Sequence, residues 1–465
     1  MLDIDLDWVW ILLDLALVIG GILIAALMAG DVLRQRRAPA RTAAWLLTLL
    51  FLPYFGVLLY LLFGARKLPR PRYRIGRLAL SSMAVDEQSA HPLDLLLRGL
   101  GVPGAVGGNA VRIHKHPEEA LSALLELIAS ASTRVLVDIY GFDEGAAGKR
   151  VLGALVERAR AGVEVKVLVD DIGSMALRSA MRRLKRAGGS MVRFKPVSQL
   201  FLVRMVNLRN HRKIIVADGA RAWTGGRNIG DPYLSSLSHA HAWEDLSCTI
   251  AGPAVRVFED IAMSDWRYAT GEKIVASEPT AHALEPGHTR VQVVPSGPDL
   301  RDDTWYAALL CACFTAKRRL WLITPYFVPD EALMNALNLA ARRGIEVRVF
   351  VPQRSDNWLV DRVRMSYLRE LSACGAEVYR YQPRMLHAKA LLMDDSAAAL
   401  GTANVDARSL FLNYEVMTVL YDHADIAALG AYINALLPDC VPGVPRVGWL
   451  REAMAAPFRL LAPLL

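Results

Sequence analysis

Two long apolar runs open the chain. Between Trp8 and Gly30 the only charged residue is Asp14, and between Ala43 and Phe63 there is none. About 20 apolar residues cross the hydrocarbon layer of a bilayer as a helix, and both runs carry Trp or Tyr near an end, where such rings settle at the lipid–water boundary. The pattern predicts a two-helix transmembrane hairpin over residues 1–66. Pro53 and Gly56 interrupt its second arm, which is therefore kinked or re-entrant. The leading residues Asp3, Asp5 and Asp7 are acidic and no small-residue cleavage site is clear, which argues against a removed signal peptide.

Further along, the apolar pattern shortens and repeats. Val135 to Ile139 and Leu320 to Thr324 are β-rich runs, and Val163 to Val169 and Ile345 to Val351 alternate as strands do. Between them lie stretches of helical apolar spacing that end at Gly162 and Gly344. The first unit reads RVLVDIYGF, ERARAGVEVKVLVDD, HRKIIVADGARAWTGGRN; the second reads RLWLITPYF, LAARRGIEVRVFVPQ, HAKALLMDDSAAALGTAN. One supersecondary unit thus occurs twice, and the expected fold class is α/β: two pseudo-symmetric lobes, each a mixed sheet flanked by helices. The expected organisation is a hairpin at 1–66, a basic and amphipathic linker at 67–108, a first lobe at 109–275, an interlobe linker at 276–289, a second lobe at 290–438 and an interfacial tail at 439–465. That tail mixes Trp449, Phe458 and many Leu with Arg446, Arg451 and Arg459. It lies at a membrane surface or packs on the lobes, and Pro457 and Pro463 argue against one long helix.

Composition fits a water-soluble part on a membrane anchor. Hydrophobic residues make up 53% and charged residues 22% of 465, with mean hydropathy +0.25. The formal charge of +8 suits an anionic partner, nucleic acid or acidic lipid, without choosing between them. Basic residues stand both between the apolar runs (Arg34, Arg36, Arg37, Arg41) and, in greater number, after the second (Arg66, Lys67, Arg70, Arg72, Arg74, Arg77), which places the soluble part in the cytoplasm. Five cysteines in no regular pairing indicate no disulfide framework, and Cys311 and Cys313 sit in an apolar helical stretch as packed thiols.

The chemistry lies in a doubled HxKxxxxD: His211, Lys213 and Asp218, then His387, Lys389 and Asp394. Asn228 and Asn404 each follow their histidine by 17 residues. On a strand, His and Lys two apart share one face, so an imidazole and an ammonium project together. Attack on a phosphodiester needs that pair: a group that titrates near neutrality, and a fixed positive charge for the anionic oxygens. Asp218 and Asp394 belong to the motif and so to the candidate catalytic set, but each ends its strand at a turn, which favours local backbone hydrogen bonding. An acid on the following strand is the better orienting group for each imidazole: Asp245, 34 residues after His211, and Glu415, 28 after His387. The second Gly-rich turn carries a hydroxyl, Thr402, where the first has Gly226, and that hydroxyl is a candidate for phosphate binding. His239 with His241, and His114 with His116, lack the neighbours of a metal site and are expected at the surface.

The paired motifs, with NHRKIIVADG, TGGRNIGDPY, YQPRMLHAKALLMDD and GTANVDARSLFLNYE, resemble the phospholipase D superfamily, and together with AWLLTLLFLPYFGVLLYLLFG they resemble its bacterial cardiolipin synthase branch. The resemblance implies a two-step exchange. One histidine attacks phosphorus to form a phosphatidyl-histidine; the other protonates the leaving alkoxide and then deprotonates the incoming alcohol. By that resemblance His211 is the nucleophile and His387 the acid and base, with the near-symmetry leaving the reverse open. Lys213, Lys389, Asn228 and Asn404 would hold the phosphate oxygens, with no metal and no cofactor. The implied reaction passes a phosphatidyl group from one phosphatidylglycerol to another, giving cardiolipin and glycerol. The implied setting is the bacterial inner membrane, multi-pass, with anionic phospholipids (phosphatidylglycerol, cardiolipin) as partners, no nucleic acid, and a homo-oligomer left open. Alternatives are a phospholipase D hydrolase, a phosphatidylethanolamine-using transferase and, against the two apolar runs, a phosphodiester nuclease.

Overall fold

A computed structural model describes residues 6–34, 39–64, 67, 91–175, 177–195, 207–235, 242–276 and 287–445. The basic cluster from Arg70 to Arg77, most of the expected interlobe linker, His239, His241 and the tail from Arg446 lie outside the described residues. The chain divides into two compact units, one built on the N-terminal helices and one on the remainder.

In the N-terminal unit a helix runs from Leu6 to Arg34, and its stretch Trp8–Arg34 is long and apolar enough to cross a membrane. The second apolar run is not one helix. It breaks at Leu52 into helices Pro39–Phe51 and Pro53–Phe63, because Pro53 has no N–H to donate to the preceding turn. Each piece alone is shorter than a span. The three helices hold together through the Tyr60 hydroxyl, which donates to Asp31 at 2.6 Å, and through Trp45 set edge-on to Tyr60.

The larger unit is a mixed α/β structure around a 15-stranded sheet. Its first half contains β1 (Val106–His114), β2 (Arg134–Ile139), β3 (Glu164–Asp170), β4 (Ser190–Phe194), β5 (Lys213–Ala217), β6 (Arg221–Gly225) and β7 (Ser247–Ala251). The second contains β8 (Thr289–Ser296), β9 (Arg319–Ile323), β10 (Phe327–Val328), β11 (Glu346–Pro352), β12 (Glu377–Tyr381), β13 (Ala390–Met393), β14 (Ala397–Gly401), β15 (Val405–Asp406), β16 (Glu415–Leu420) and β17 (Cys440–Pro442). The sheet order is β17-β12-β11-β9-β13-β14-β16-β8-β1-β7-β6-β5-β2-β3-β4, with β10 and β15 paired apart from it. Read outward from the antiparallel β1/β8 pair, each half places the strand at whose start its acidic residue stands, the hairpin after its histidine, and three parallel strands in the same succession.

The strands are apolar on both faces because helices cover both. Every residue of β5 and of β16 is buried. The helices Ala146–Arg160 and Glu331–Arg342 stop where the periodicity predicts, with Gly162 (φ 88°) and Gly344 (φ 84°) in the left-handed conformation that ends a helix cheaply. One core fills the outer face of each half. A third runs through both, joining Ile214, Phe258 and Ile261 to Val291, Leu392 and Leu429. That shared core fixes the two motifs relative to each other.

Two stretches expected outside the lobes take part in this unit. Within 67–108, Pro92–Gly99 is a helix whose Leu93 and Leu97 enter the second half's core beside Trp305, while Asp94 accepts from the Ala105 N–H at 2.9 Å. The first residues of the expected tail form β17, antiparallel to β12. The five cysteines are unpaired, Cys248 and Cys313 buried.

Candidate active site

Each motif histidine lies just before a strand, β5 or β13, at the end of the sheet where the parallel strands β2 and β9 finish. The two ends meet. The His211 N–H donates to the Tyr414 carbonyl at 2.9 Å and the Tyr414 N–H to the Arg209 carbonyl at 2.9 Å. Likewise the Glu244 N–H donates to Met385 at 2.8 Å and the His387 N–H to Glu244 at 2.7 Å. The backbone before each histidine is therefore stitched to the backbone before the acidic residue of the other half.

This stitching crosses the imidazole partners. His211 Nδ1 lies 2.9 Å from Glu415 Oε2, and His387 Nδ1 lies 2.6 Å from Asp245 Oδ2. The sequence pairs each histidine with the acid of its own copy; the structure pairs it with the other's, because the two strand ends lie side by side while the following strand of the same copy comes from across a hairpin. A carboxylate on Nδ1 draws the ring proton there and leaves the Nε2 lone pair free.

The lysines stand where strand alternation puts them. Lys213 Nζ donates to the His211 carbonyl at 2.9 Å; Lys389 Nζ donates to the His387 carbonyl and lies 2.8 Å from His387 Nδ1. All four side chains are buried or nearly so, and their charges interact. Burial lowers His211 below its ordinary 6.5 against the pull of Glu415, with Lys213 and Lys389 pushing the same way as burial. Burial, then Lys389, lowers His387 to about 3 against Asp245. Burial likewise lowers Lys213 to about 7 and Lys389 to about 8. At Asp245 and Glu415 burial opposes ionisation, but the neighbouring cations outweigh it, holding Asp245 at about 2 and Glu415 below its ordinary range. Each lysine thus acts on the histidine of the other motif, so the two motifs form one electrostatic centre.

The remaining motif residues divide. Asn228 accepts from the Gly141 N–H at 3.1 Å and bonds Tyr233; Asn404 bonds Asp406; both are buried at the histidine end. Thr402 is turned inward: its hydroxyl accepts from the Val416 N–H at 2.8 Å and bonds Glu415, so it braces the orienting acid instead of facing a phosphate. Its counterpart is glycine for a steric reason, since a Cβ on Gly226 would lie 2.1 Å from Asp245 Oδ1. Asp218 and Asp394 are not in the cleft. They stand at the opposite strand ends, roughly 20 Å from their histidines at about 3.3 Å per residue. There, at φ 53° and 50°, they accept N–H bonds from Ser132, Thr133 and Arg134 or from Lys317, Arg318 and Arg319. They fix the starts of β2 and β9.

Residues 124–266 and 310–437 match the family model described as cardiolipin synthase, phospholipase D-like domain, and residues 8–64 match the phospholipase D-nuclease N-terminal model. Cardiolipin synthase 1 of Bacillus anthracis is 35% identical over 413 residues, which cover 83% of this chain and 81% of that protein. The cardiolipin synthase of Geobacillus thermodenitrificans (strain NG80-2) is 36% identical over 408 residues, 83% of this chain and 80% of its own. The chain belongs to the cardiolipin synthase family. Its fold is also that of the phosphatidylserine synthase of Haemophilus influenzae Rd KW20, with a TM-score of 0.61 and 14% identity over 81% of this chain and 100% of that one. Membership and the apolar N-terminal helix make this cardiolipin synthase relative a membrane-associated protein acting on phospholipid.

Within this family framework, several residues at the site carry no signal in the motif. Tyr140 stands edge-on to His211 at 4.9 Å between ring centres, and Tyr233 and Trp243 flank His387 at 5.3 and 5.1 Å. The two histidines are backed by different buried groups, the first by a network around Arg212. Arg212 is clamped between Asp265 at 2.7 Å and Asp299 at 2.8 Å while its Nε donates to the Glu415 carbonyl, and Asn210 donates to Asp138. The matching positions behind His387 are Leu386, Ala388 and Ile323, all apolar. The half-sites are therefore unequal, through Arg212 and Asn210 and also through Thr402, which braces Glu415 where Gly226 makes room for Asp245. His114 is buried, contrary to a surface placement, and bonds Glu119 and Thr249 at 3.1 Å each beside a cavity of about 250 Å³ away from the histidines. His116 is exposed. Among the described residues no group of three or more His, Cys, Asp or Glu presents a metal site.

Proposed function

We propose that the chain joins two phosphatidylglycerol molecules, releasing glycerol and forming cardiolipin, through a phosphatidyl-histidine. Two halves related by a pseudo-twofold axis supply one histidine, one lysine and one asparagine each to a single phosphorus. The crossed pairs His211–Glu415 and His387–Asp245 carry the reading, because a carboxylate on each Nδ1 turns both Nε2 atoms to one centre, that of His211 as a free lone pair and that of His387 protonated once the anionic substrate is bound. His211 Nε2 attacks phosphorus, forming the P–N bond as the P–O bond to glycerol breaks, and His387 gives its Nε2 proton to the departing alkoxide. His387 then takes the proton of the second phosphatidylglycerol's hydroxyl, whose oxygen displaces His211.

In the empty site burial depletes positive charge, and the arriving phosphodiester restores it: an anion among two lysines and two histidines raises every one of their pKa values. Lys213, Lys389, Asn228 and Asn404 then face the phosphate oxygens. We also propose that Trp8–Arg34 crosses the bacterial inner membrane, that the pair of helices broken at Pro53 completes a kinked second crossing, and that the catalytic unit is cytoplasmic.

Purified protein incubated with phosphatidylglycerol as the sole lipid is expected to yield cardiolipin and glycerol by mass spectrometry. Phosphatidic acid as the only lipid product would make it a hydrolase and overturn the reading. The pH profile of kcat/KM, which reports the free enzyme, should fall as pH rises through about 7 to 8, because the lysines must be protonated and their pKa values are lowered. The acid limb should appear only below the ordinary 6.5 of histidine, since burial lowers His211, which must be neutral to attack. A rate still rising above pH 9 would contradict the buried-lysine assignment.

A further inference from the structure

The loops that leave β3 and β11 emerge at the histidine end of the sheet, one on each half. Both are firmly held. In the first, Ile172 N–H donates to Asp170 at 2.9 Å, Ser174 donates to the Tyr140 carbonyl at 2.9 Å, and a Cβ on Gly173 would lie 2.3 Å from that same carbonyl. In the second, Asp356 accepts from the Tyr326 hydroxyl at 2.6 Å and is among the charges felt by Lys389, and Asn357 caps the helix Trp358–Ala373. Each loop is thus anchored to the wall of the site.

Despite that anchoring, each presents large apolar side chains to the outside. Met175 is 76% exposed, Ile172 42% and Trp358 65%. Cations follow immediately. The helix Arg178–Arg186 carries Arg178, Arg182, Arg183, Lys185 and Arg186, all exposed, with no acidic residue among them. Across the cleft Arg354 is exposed and Arg362 lies over the Trp358 ring at 5.7 Å. Like charges at i and i+4, such as Arg178 with Arg182 and Arg182 with Arg186, weaken a helix in water. A purely solvated face would be better served by alternating signs. Exposed Met, Ile and Trp rimmed by arginine is the composition of a surface that sinks its apolar tips to the acyl boundary and sets its cations among anionic headgroups.

We propose that these two rims, the loop at Ile172–Met175 with the start of helix Arg178–Arg186 and the turn at Arg354–Arg362, form the surface by which the catalytic unit docks on an anionic phospholipid bilayer. The proposal rests on the phosphatidyl-transfer reading, and its consequence is that the two histidines open toward the lipid, so that a headgroup is lifted into the cleft between the rims without leaving its leaflet entirely.

The test uses the full chain in vesicles of phosphatidylcholine and phosphatidylglycerol. An environment-sensitive fluorescent amino acid is placed at the position of Met175, of Trp358, or of Val275. Val275 is 81% exposed, and its carbonyl is bonded by Arg134 at the opposite end of the sheet, so it serves as the control. Doxyl-labelled lipids are expected to quench the probes at 175 and 358 and to spare 275. Equal quenching at all three, or none at 175 and 358, overturns the proposal whatever the activity. In parallel, the Arg178→Glu/Arg182→Glu variant should lose about tenfold or more in cardiolipin formation on vesicles. It should keep the wild-type rate on short-chain phosphatidylglycerol dispersed as monomers. Equal loss on both substrates, or no loss on vesicles, also overturns it. Absence of any transfer by the wild type on either substrate would instead sink the phosphatidyl-transfer reading, while the quenching pattern still decides the surface.

Discussion

Cardiolipin formation by the His211→Ala and His387→Ala variants is expected to fall at least about a thousandfold each, with the double variant little worse than either alone. The reason is that the two groups act on one phosphorus in consecutive roles. Without the nucleophile no P–N bond forms. Without its partner the alkoxide leaves unprotonated, and any phosphatidyl-histidine that does form waits for an alcohol that nothing deprotonates. The variants should therefore differ in what they accumulate. Rapid quenching of the His387→Ala variant with labelled phosphatidylglycerol should trap label on the protein, and the His211→Ala variant should trap none. The opposite pattern would exchange the roles, and residual turnover above about a tenth of wild type in either would remove that histidine from the chemistry.

Much of this arrangement is legible along the chain. The doubled spacing of His, Lys and Asn gives the residue set, and the period-2 runs at Val163–Val169 and Ile345–Val351 are recovered as β3 and β11 almost to the residue. Repeats are legible because each copy repeats its local physics: apolar alternation, a glycine stop, a turn. What is not legible is which copy's acid meets which imidazole. Spacing along one chain measures proximity through a hairpin, whereas the bonds that matter run through space between Asn210 and Tyr414 and between Glu244 and Leu386. The motif aspartates mislead for a related reason. Asp218 and Asp394 recur with the histidines because the same strand carries both, yet a strand has two ends, and the aspartates serve the one without the chemistry. Arg212 is invisible in the pattern too. It replaces an alanine in the other copy, and only the placement of Asp265 and Asp299 on either side of it makes a buried guanidinium tolerable.

The crossed pairing makes the second large prediction. Glu415→Gln and Asp245→Asn keep the shape of each side chain and remove its charge, so the neighbouring imidazole loses both a reason to hold its proton on Nδ1 and the anion that stabilises the imidazolium. Each variant is expected to lose on the order of a hundredfold to ten-thousandfold in kcat, with a smaller effect on KM. The distinguishing measurement is nitrogen-resolved proton NMR of ring-labelled histidine, with His211 and His387 assigned by substitution. Glu415→Gln should shift or broaden the Nδ1–H resonance of His211 and spare that of His387; Asp245→Asn should do the reverse. If each variant instead perturbs the histidine of its own copy, the exchange of partners between halves is wrong. If the crossed pattern holds, neither half can orient its own nucleophile or base. A chain cut to either half alone is then inactive for a geometric reason, because the carboxylate that completes each imidazole is held by the opposite half of the same sheet.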